Sequence, residues 1–454
     1  MEKPSTIFTS LNFEGLYGLP SDYWEVRCTY TENLRVNAKN QRLEGVEVGS
    51  NFGAGIRVLM NGSWGMASTT KPESELLRTA DRALKLAKVM HYHFPSKKVS
   101  LAPVPYVRKN IDEKVELPEV EEMAEVVLEC EKNMNDLPLS STQTFLSCTL
   151  VHKLLVTSEG SYITQRYFRS FLQTSAVAKK GERVEESSRR DVNFRFEHDT
   201  SIAKNAAESA IRMLEAKTCP SGTLPVVLDP ELVAVFIHEA LGHMVEADLV
   251  LEGGSILASH LGEKIASDEV TIVDDGNAPG FGRMYFDDEG VKAKATTIVE
   301  KGILKTFLHT RETAALMHTQ PTGNARAQSY EYFPLPRMTN TSLLPGSYTL
   351  EELFKEAKKG VYLKGSRGGE CNPVNGTFQF AAKEGYLIEN GEVTQPLRNA
   401  GISGSTLAML KEIKAIGSDY VINAPGYCGK KSQSVAVDGG APHILAIVRV
   451  GGIK

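Results

Sequence analysis

In Ile237-His238-Glu239-Ala240-Leu241-Gly242-His243, two imidazoles bracket a carboxylate that directly follows the first of them. Two metal ligands and a general base are the makeup of a metalloprotease helix. The spacing is one residue longer than the familiar H-E-x-x-H. At about 100° per residue, positions i and i+4 of an α-helix lie roughly 40° apart, and positions i and i+5 roughly 140° apart. An undistorted helix therefore cannot aim His238 and His243 at one ion. The spacing predicts a departure from α between Glu239 and His243, either a π-type bulge or a break at Gly242. The bland alternative is two unrelated histidines. Upstream, Asp229-Pro230 reads as an N-cap with proline at the first helical position. Leu232, Val233, Val235, Phe236 and Ile237 form an apolar run that implies burial on most sides. Buried ionisable groups at the end of such a helix need compensation, and a metal would satisfy all three at once.

A catalytic zinc usually takes three protein ligands and keeps a fourth position open. Downstream candidates for the third are His260, His309, His318, His443, Cys371 and Cys428. Glu246 and Asp248 lie close by, and Asp268, Glu269, Asp274 and Asp275 stand in turns further on. Spacing does not choose among them. Cys428 ranks slightly ahead, because Gly426 and Gly429 allow close approach.

With 454 residues the chain is long enough for two or three domains and a large core. The net charge of −5 gives no electrostatic footprint for nucleic acid or an anionic membrane. Apolar runs are too short for a transmembrane helix, and Met1 to Thr6 lack the pattern of a signal peptide. Six scattered cysteines without a C-x-x-C pair suit a reducing cytoplasm.

In chain order, Trp24–Tyr30 alternates as a half-buried strand and continues through turns at Glu32-Asn33 and Lys39-Asn40. A further strand at Gly53–Met60 ends in an Asn61-Gly62 hairpin. Gly53-x-Gly55 lacks the third glycine of a phosphate loop and reads as glycines at a strand bend. Helical periodicity covers Glu73–Met90, Pro118–Met134 and Ile202–Ala216, with a Pro-containing connection at Pro95–Pro105. Strand-like segments lie at Thr144–Val151, Lys153–Ser158, Tyr162–Leu172 and Ala176–Lys179, and Arg183–Arg190 reads as a solvated connection. Pro220-Ser221-Gly222 marks a boundary, giving an N-terminal α/β domain over 1–219 and a β-rich C-terminal domain over 220–454 that carries the metal-binding helix: an α+β fold. In that domain, Pro321–Arg326 and Leu335–Asn340 read as polar loops, and Leu407–Ile416 as a helix.

These segments resemble the TldD/PmbA family, the modulator of DNA gyrase proteins, and in particular its TldD branch with H-E-x-x-x-H. The resemblance is carried by Gly53-Ala-Gly-Ile-Arg57, Trp64-Gly65, His238–His243 with Glu246 and Asp248, Asp288-Glu-Gly290, Thr322-Gly-Asn324, Pro336–Asn340 and Cys428-Gly-Lys430 with Gln433. It departs at Lys431-Ser432, where a smaller glycine-containing turn is expected, and at the bulky Met244-Val245. The resemblance implies a cytoplasmic zinc metallopeptidase acting on unfolded or extended peptides. His238, His243 and Cys428 would hold Zn²⁺, and Glu239 would be the base. It also implies a homodimer, or a heterodimer with a PmbA/TldE-type partner. The rival reading is a metal-free regulatory or partner-binding subunit of the same family. A thiol enzyme built on Cys428 beside Lys430 and Lys431 is a third.

Overall fold

Trp24, Val26, Cys28, Tyr30, Val36 and Ala38 all have even numbers, which in a strand places them on one face. The computed structural model describes residues 8–94 and 99–452, so the Met1–Thr6 leader and residues 95–98 of the Pro-containing connection lie outside the described residues. In it, these even positions belong to one strand, Tyr23–Lys39 (β1). β1 pairs with Arg42–Met60 (β2) and with Ser141–Thr157 (β5). Ser63–Thr69 (β3), Arg108–Asp112 (β4), Tyr162–Lys180 (β6) and Arg183–Asn193 (β7) complete a seven-stranded sheet, with backbone order β3-β2-β1-β5-β6-β4 and β7 on the far part of β6. At about 3.4 Å per residue a 17-residue strand spans roughly 55 Å.

The even face is covered by helices. Pro72–His93 (α1) lays Leu76, Ala80, Ala83 and Leu84 on the Trp24 end. Val120–Lys132 (α2) and Ile202–Leu214 (α3) cover the Val36 end. The odd face holds Glu25, Arg27 and Thr29, which are also buried, because the C-terminal half of the chain lies against it. Glu25 takes Arg57 of β2 at 3.0 Å, and Arg57 reaches across to Glu289 at 2.8 Å. Arg311 grips Glu159 through two N–H groups, and Lys153 meets Asp288 at 2.8 Å.

In the C-terminal half, Gly222–Leu228 (β8) enters an eight-stranded sheet between Lys359–Asn372 (β9) and Ile444–Gly452 (β14). Thr377–Glu389 (β10) and Ala400–Ser405 (β11) extend it beyond β14. A second sheet of seven strands contains Gln433–Ala441 (β13), with Gly426–Lys430 (β12) hairpinned onto it. The helix Pro230–Ile237 (α4) runs between the two sheets, with Phe236 edge-on to Phe378. Asp229 caps it by accepting the Leu232 N–H, as its sequence predicts. The fold is α+β with a β-rich C-terminal part.

Several expectations need correction. No turn occurs at Glu32-Asn33, and the paired segments in β5 and in β6 are each one strand, because neighbouring long strands supply ladder partners throughout. Arg183–Arg190 is strand, not a solvated connection: Glu185 is buried opposite Arg367, and Arg189 pairs with Glu384. The helix at Leu407 ends at Lys411, and Ile413–Ile416 is a strand on β14, where Ile413 and Ile416 are buried. The polar loops 321–326 and 335–340 are interior, with Asn324, Arg337 and Asn340 almost fully buried and bonded to one another, to main chain and to buried acids. Lys431 and Ser432 do adopt a glycine-type turn, at φ of +46° and +62°.

Gly53 and Gly55 do not mark a strand bend. A Cβ on Gly55 would stand 1.7 Å from the Tyr330 carbonyl oxygen, and one on Gly53 would stand 2.3 Å from the Tyr330 ring. Both glycines let a C-terminal loop press onto the N-terminal sheet. Gly55→Ala should therefore destabilise the protein by about 1–3 kcal/mol, as overpacking does, read as a lowered denaturation midpoint. An unchanged midpoint would show that this contact does not hold the halves together.

Candidate metal centre

α4 delivers its C-terminal end into a cleft of about 960 Å³ between the two halves of the chain. The α-helix stops at Ile237, and His238–Gly242 is one turn of π-helix, followed by a 3₁₀ turn at His243–Val245. A π turn closes i to i+5, so His243 comes round onto the side of His238. This is the departure from α that the spacing demands. Gly242 lets Met338 lie close here: a Cβ would stand 1.9 Å from Met338 Sδ, so that side chain would have to shift.

The two rings stand 5.4 Å apart and nearly perpendicular. Cys428, brought in by β12, places its Sγ 3.4 Å from His243 Nε2. One ligand atom from each of His238, His243 and Cys428 lies within 4.8 Å of the others, and no other such group occurs among the described residues. Two N or S atoms on one tetrahedral zinc lie about 3.3–3.6 Å apart, and two imidazoles with a thiolate form a zinc-type donor set. Burial alone would raise the Cys428 thiol, but His238 and His243 outweigh it and bring it down to about 5. The sulfur is thus poised as the thiolate a metal requires.

Behind His243 sits a charge network that spacing left unread. Glu246 is fully buried and accepts from His243 Nδ1 at 3.0 Å, which leaves Nε2 facing Cys428. Burial would raise the Glu246 carboxyl, but His243, Lys430 and Arg337 hold it below the usual range. Lys430 bonds Glu246 at 3.0 Å and Asp248 at 2.6 Å, so its charge is tied to two acids. Arg337 donates to the Cys428 carbonyl at 2.6 Å. Glu246 and Asp248 thus stand behind the histidine rather than among the candidate ligands.

The other candidates are dispersed. His443 bridges Asp419 and Tyr362, His309 is buried beside Thr313 and Thr322, and Asp274 is bonded by Thr339, Thr341 and Asn324. Cys371 lies near Thr406. His260 sits beside Glu263, and Lys264 pairs with Asp268. Glu239 is the first residue after His238, partly exposed, and its carboxylate lies 3.8 Å from His243 Nε2. Asp438 also lines the cleft and was missed from sequence; burial raises its carboxyl to about 6, against three backbone N–H donors and the nearby His238.

Comparison with protein families places this fold, with its His₂Cys cluster and the carboxylate beside it, in a metallopeptidase family. Three consecutive family models match the chain: PmbA/TldA metallopeptidase domain 1 at residues 24–87, the central domain at 106–214 and the C-terminal domain at 221–452. The chain belongs to the PmbA/TldD family. It is 38% identical to the metalloprotease MJ0996 of Methanocaldococcus jannaschii over 94% of this chain and 97% of that one. It is 36% identical to the zinc metalloprotease TldD homolog of Saccharolobus solfataricus, over 90% and 91% of the two chains. Among solved structures, TM0727 of Thermotoga maritima superposes with a TM-score of 0.81 at 25% identity, covering 94% of this chain and 96% of its own. TldE of Thermococcus kodakarensis shares the fold with a TM-score of 0.81 at 20% identity, over 98% and 100%.

Glu246 orients His243, and residues in that position typically govern metal affinity by 10–100-fold. Glu246→Gln should weaken Zn²⁺ binding by at least about tenfold, measured by competition with a chromophoric chelator. Unchanged affinity would remove the orienting role.

Proposed function

We propose that this chain is a zinc-dependent metallopeptidase that hydrolyses peptide bonds in unfolded or extended peptides. The observation that carries this reading is the π turn, which brings His238 and His243 to Cys428 while leaving Glu239 open to the cleft. His238, His243 and Cys428 would hold the ion, which supplies Lewis acidity toward the scissile carbonyl and toward water when bound. Two neutral imidazoles and a thiolate leave a formal charge of about +1, less than an all-histidine site retains. More of the proton transfer therefore falls to Glu239. Its carboxylate accepts the proton as water attacks, and the acid so formed returns it to the leaving amine.

The cleft lies between the odd face of the N-terminal sheet and the strand segment Lys364–Gly368 with the loop and strand start at Asn423–Cys428. Such walls suit a single extended chain, whose backbone pairs with strand segments independently of side-chain identity. We assign residues 1–219 to the sheet that walls the cleft and 220–454 to the unit that holds the metal. Free cysteines fit a reducing cytoplasm, and among the described residues no helix is long and apolar enough to cross a membrane. We assign it a pairing with itself or with a PmbA/TldE-type chain, a TldE structure being one that shares its fold.

Glu239→Ala should retain one zinc per chain by elemental analysis and lose about 10²–10⁴-fold in cleavage of an unfolded peptide. Cleavage at the wild-type rate would refute the assignment. Purified protein that kept no zinc after loading would instead favour the metal-free subunit.

A further inference from the structure

The large cleft does not end at the metal candidates. Along the odd face of the N-terminal sheet, Arg35 and Ser147 lie opposite one another, as do Ser147 and Phe171, and all three line the large cleft. The next rung on the same face is Asn33, Thr149 and Arg169, and these line a second cleft of about 350 Å³. Successive same-face rungs are about 6.6–6.8 Å apart. Tyr427 lines both spaces and immediately precedes Cys428. The two clefts are therefore neighbouring stretches of one groove.

The chemistry of the second stretch is one-sided. Its charged lining is Lys153, Arg169, Arg326 and Asp288. The single acid is already committed: Asp288 takes Lys153 at 2.8 Å and the Ala327 N–H at 2.8 Å. Arg169 is held over the Tyr167 ring at 4.6 Å, donates to the Arg283 carbonyl at 2.8 Å, and leaves its buried Nε without a partner. Arg326, 6% exposed, bonds only the carbonyls of Met338 and Ala436. Neither guanidinium has a carboxylate within ion-pair distance among the described residues. Burial, with repulsion from Arg169 and Arg337, brings Arg326 down to about 10 despite the more distant Asp274 and Asp288. Two guanidiniums line a half-open cleft whose described residues offer no free counter-charge. An anion entering it gains charge-assisted hydrogen bonds without having to break an existing ion pair.

We propose that this second cleft, which shares Tyr427 with the large one, is a carboxylate-binding pocket that anchors the substrate peptide through its C-terminal carboxylate or an acidic side chain. The ligand class rests on the peptidase reading; the pocket itself does not.

The test separates the two. Dye-labelled peptides identical except for a free or amidated C-terminus, and a second pair with an internal Glu or Gln, are titrated by anisotropy into the full-length protein with metal removed by chelator. At least one carboxylate peptide should bind about tenfold more tightly than its neutral twin, the worth of one charge-assisted hydrogen bond, and the pair that discriminates identifies the source. Arg169→Gln should bring the members of that pair together, whereas Arg169→Lys should keep much of the difference. Equal binding of both pairs by wild-type protein, or discrimination that survives Arg169→Gln, overturns the proposal. Zinc-loaded protein that discriminates in binding yet cleaves none of the four peptides overturns the peptidase reading alone.

Discussion

Charge buried between two halves of the chain is the constraint on which the groove depends. The odd face of β1 and β2 carries Glu25, Arg27 and Arg57 into a dry interface, where each charge needs a partner of opposite sign. Glu289 and Asp288 come from one C-terminal turn, and Arg311 from the start of the helix Arg311–Leu316. Such pairs add little net stability over apolar packing, but removing one partner strands the other at a cost of about 3–5 kcal/mol. They therefore act less as glue than as register marks. With the register held, the unpaired parts of the same face, from Thr29 to Arg35, become the wall of a continuous groove.

The metal candidates obey the same logic on a smaller scale. A π turn is an uncommon conformation, and here it is kept by what surrounds it. Gly242 fits under Met338, Glu246 holds His243 by its far nitrogen, and Lys430 ties that carboxylate to the strand that carries Cys428. One lysine thus couples the helix end to β12. The thiolate, the imidazole and the carboxylate behind it form a chain of partners, so their positions are not independent.

Much of this was legible in the sequence, for identifiable reasons. The i, i+5 spacing of His238 and His243 has a geometric meaning that requires only the pitch of a helix. Asp229-Pro230, Asn61-Gly62 and the helix of Glu73–Met90 are local signals and were read correctly. The failures are non-local. Arg183–Arg190 looked solvated because its counter-charges, Glu384 and Arg367, are almost two hundred residues away. Gly53 and Gly55 read as bend residues because the loop at Tyr330 that requires them is more remote still. Glu246 stands in the sequence as one more possible ligand; a carboxylate three residues after a histidine can instead reach its back nitrogen, but nothing local distinguishes the two roles.

The groove's two walls come from different parts of the chain, and this bears on how such proteins diverge. The wall on the N-terminal sheet contributes none of the three candidate ligands, and the histidines lie on a helix that the sheet does not build. Groove wall and histidine–cysteine cluster are separately heritable. A descendant that loses His238 and His243 keeps the groove, and one that reshapes β1 or β6 alters the groove while leaving the cluster intact.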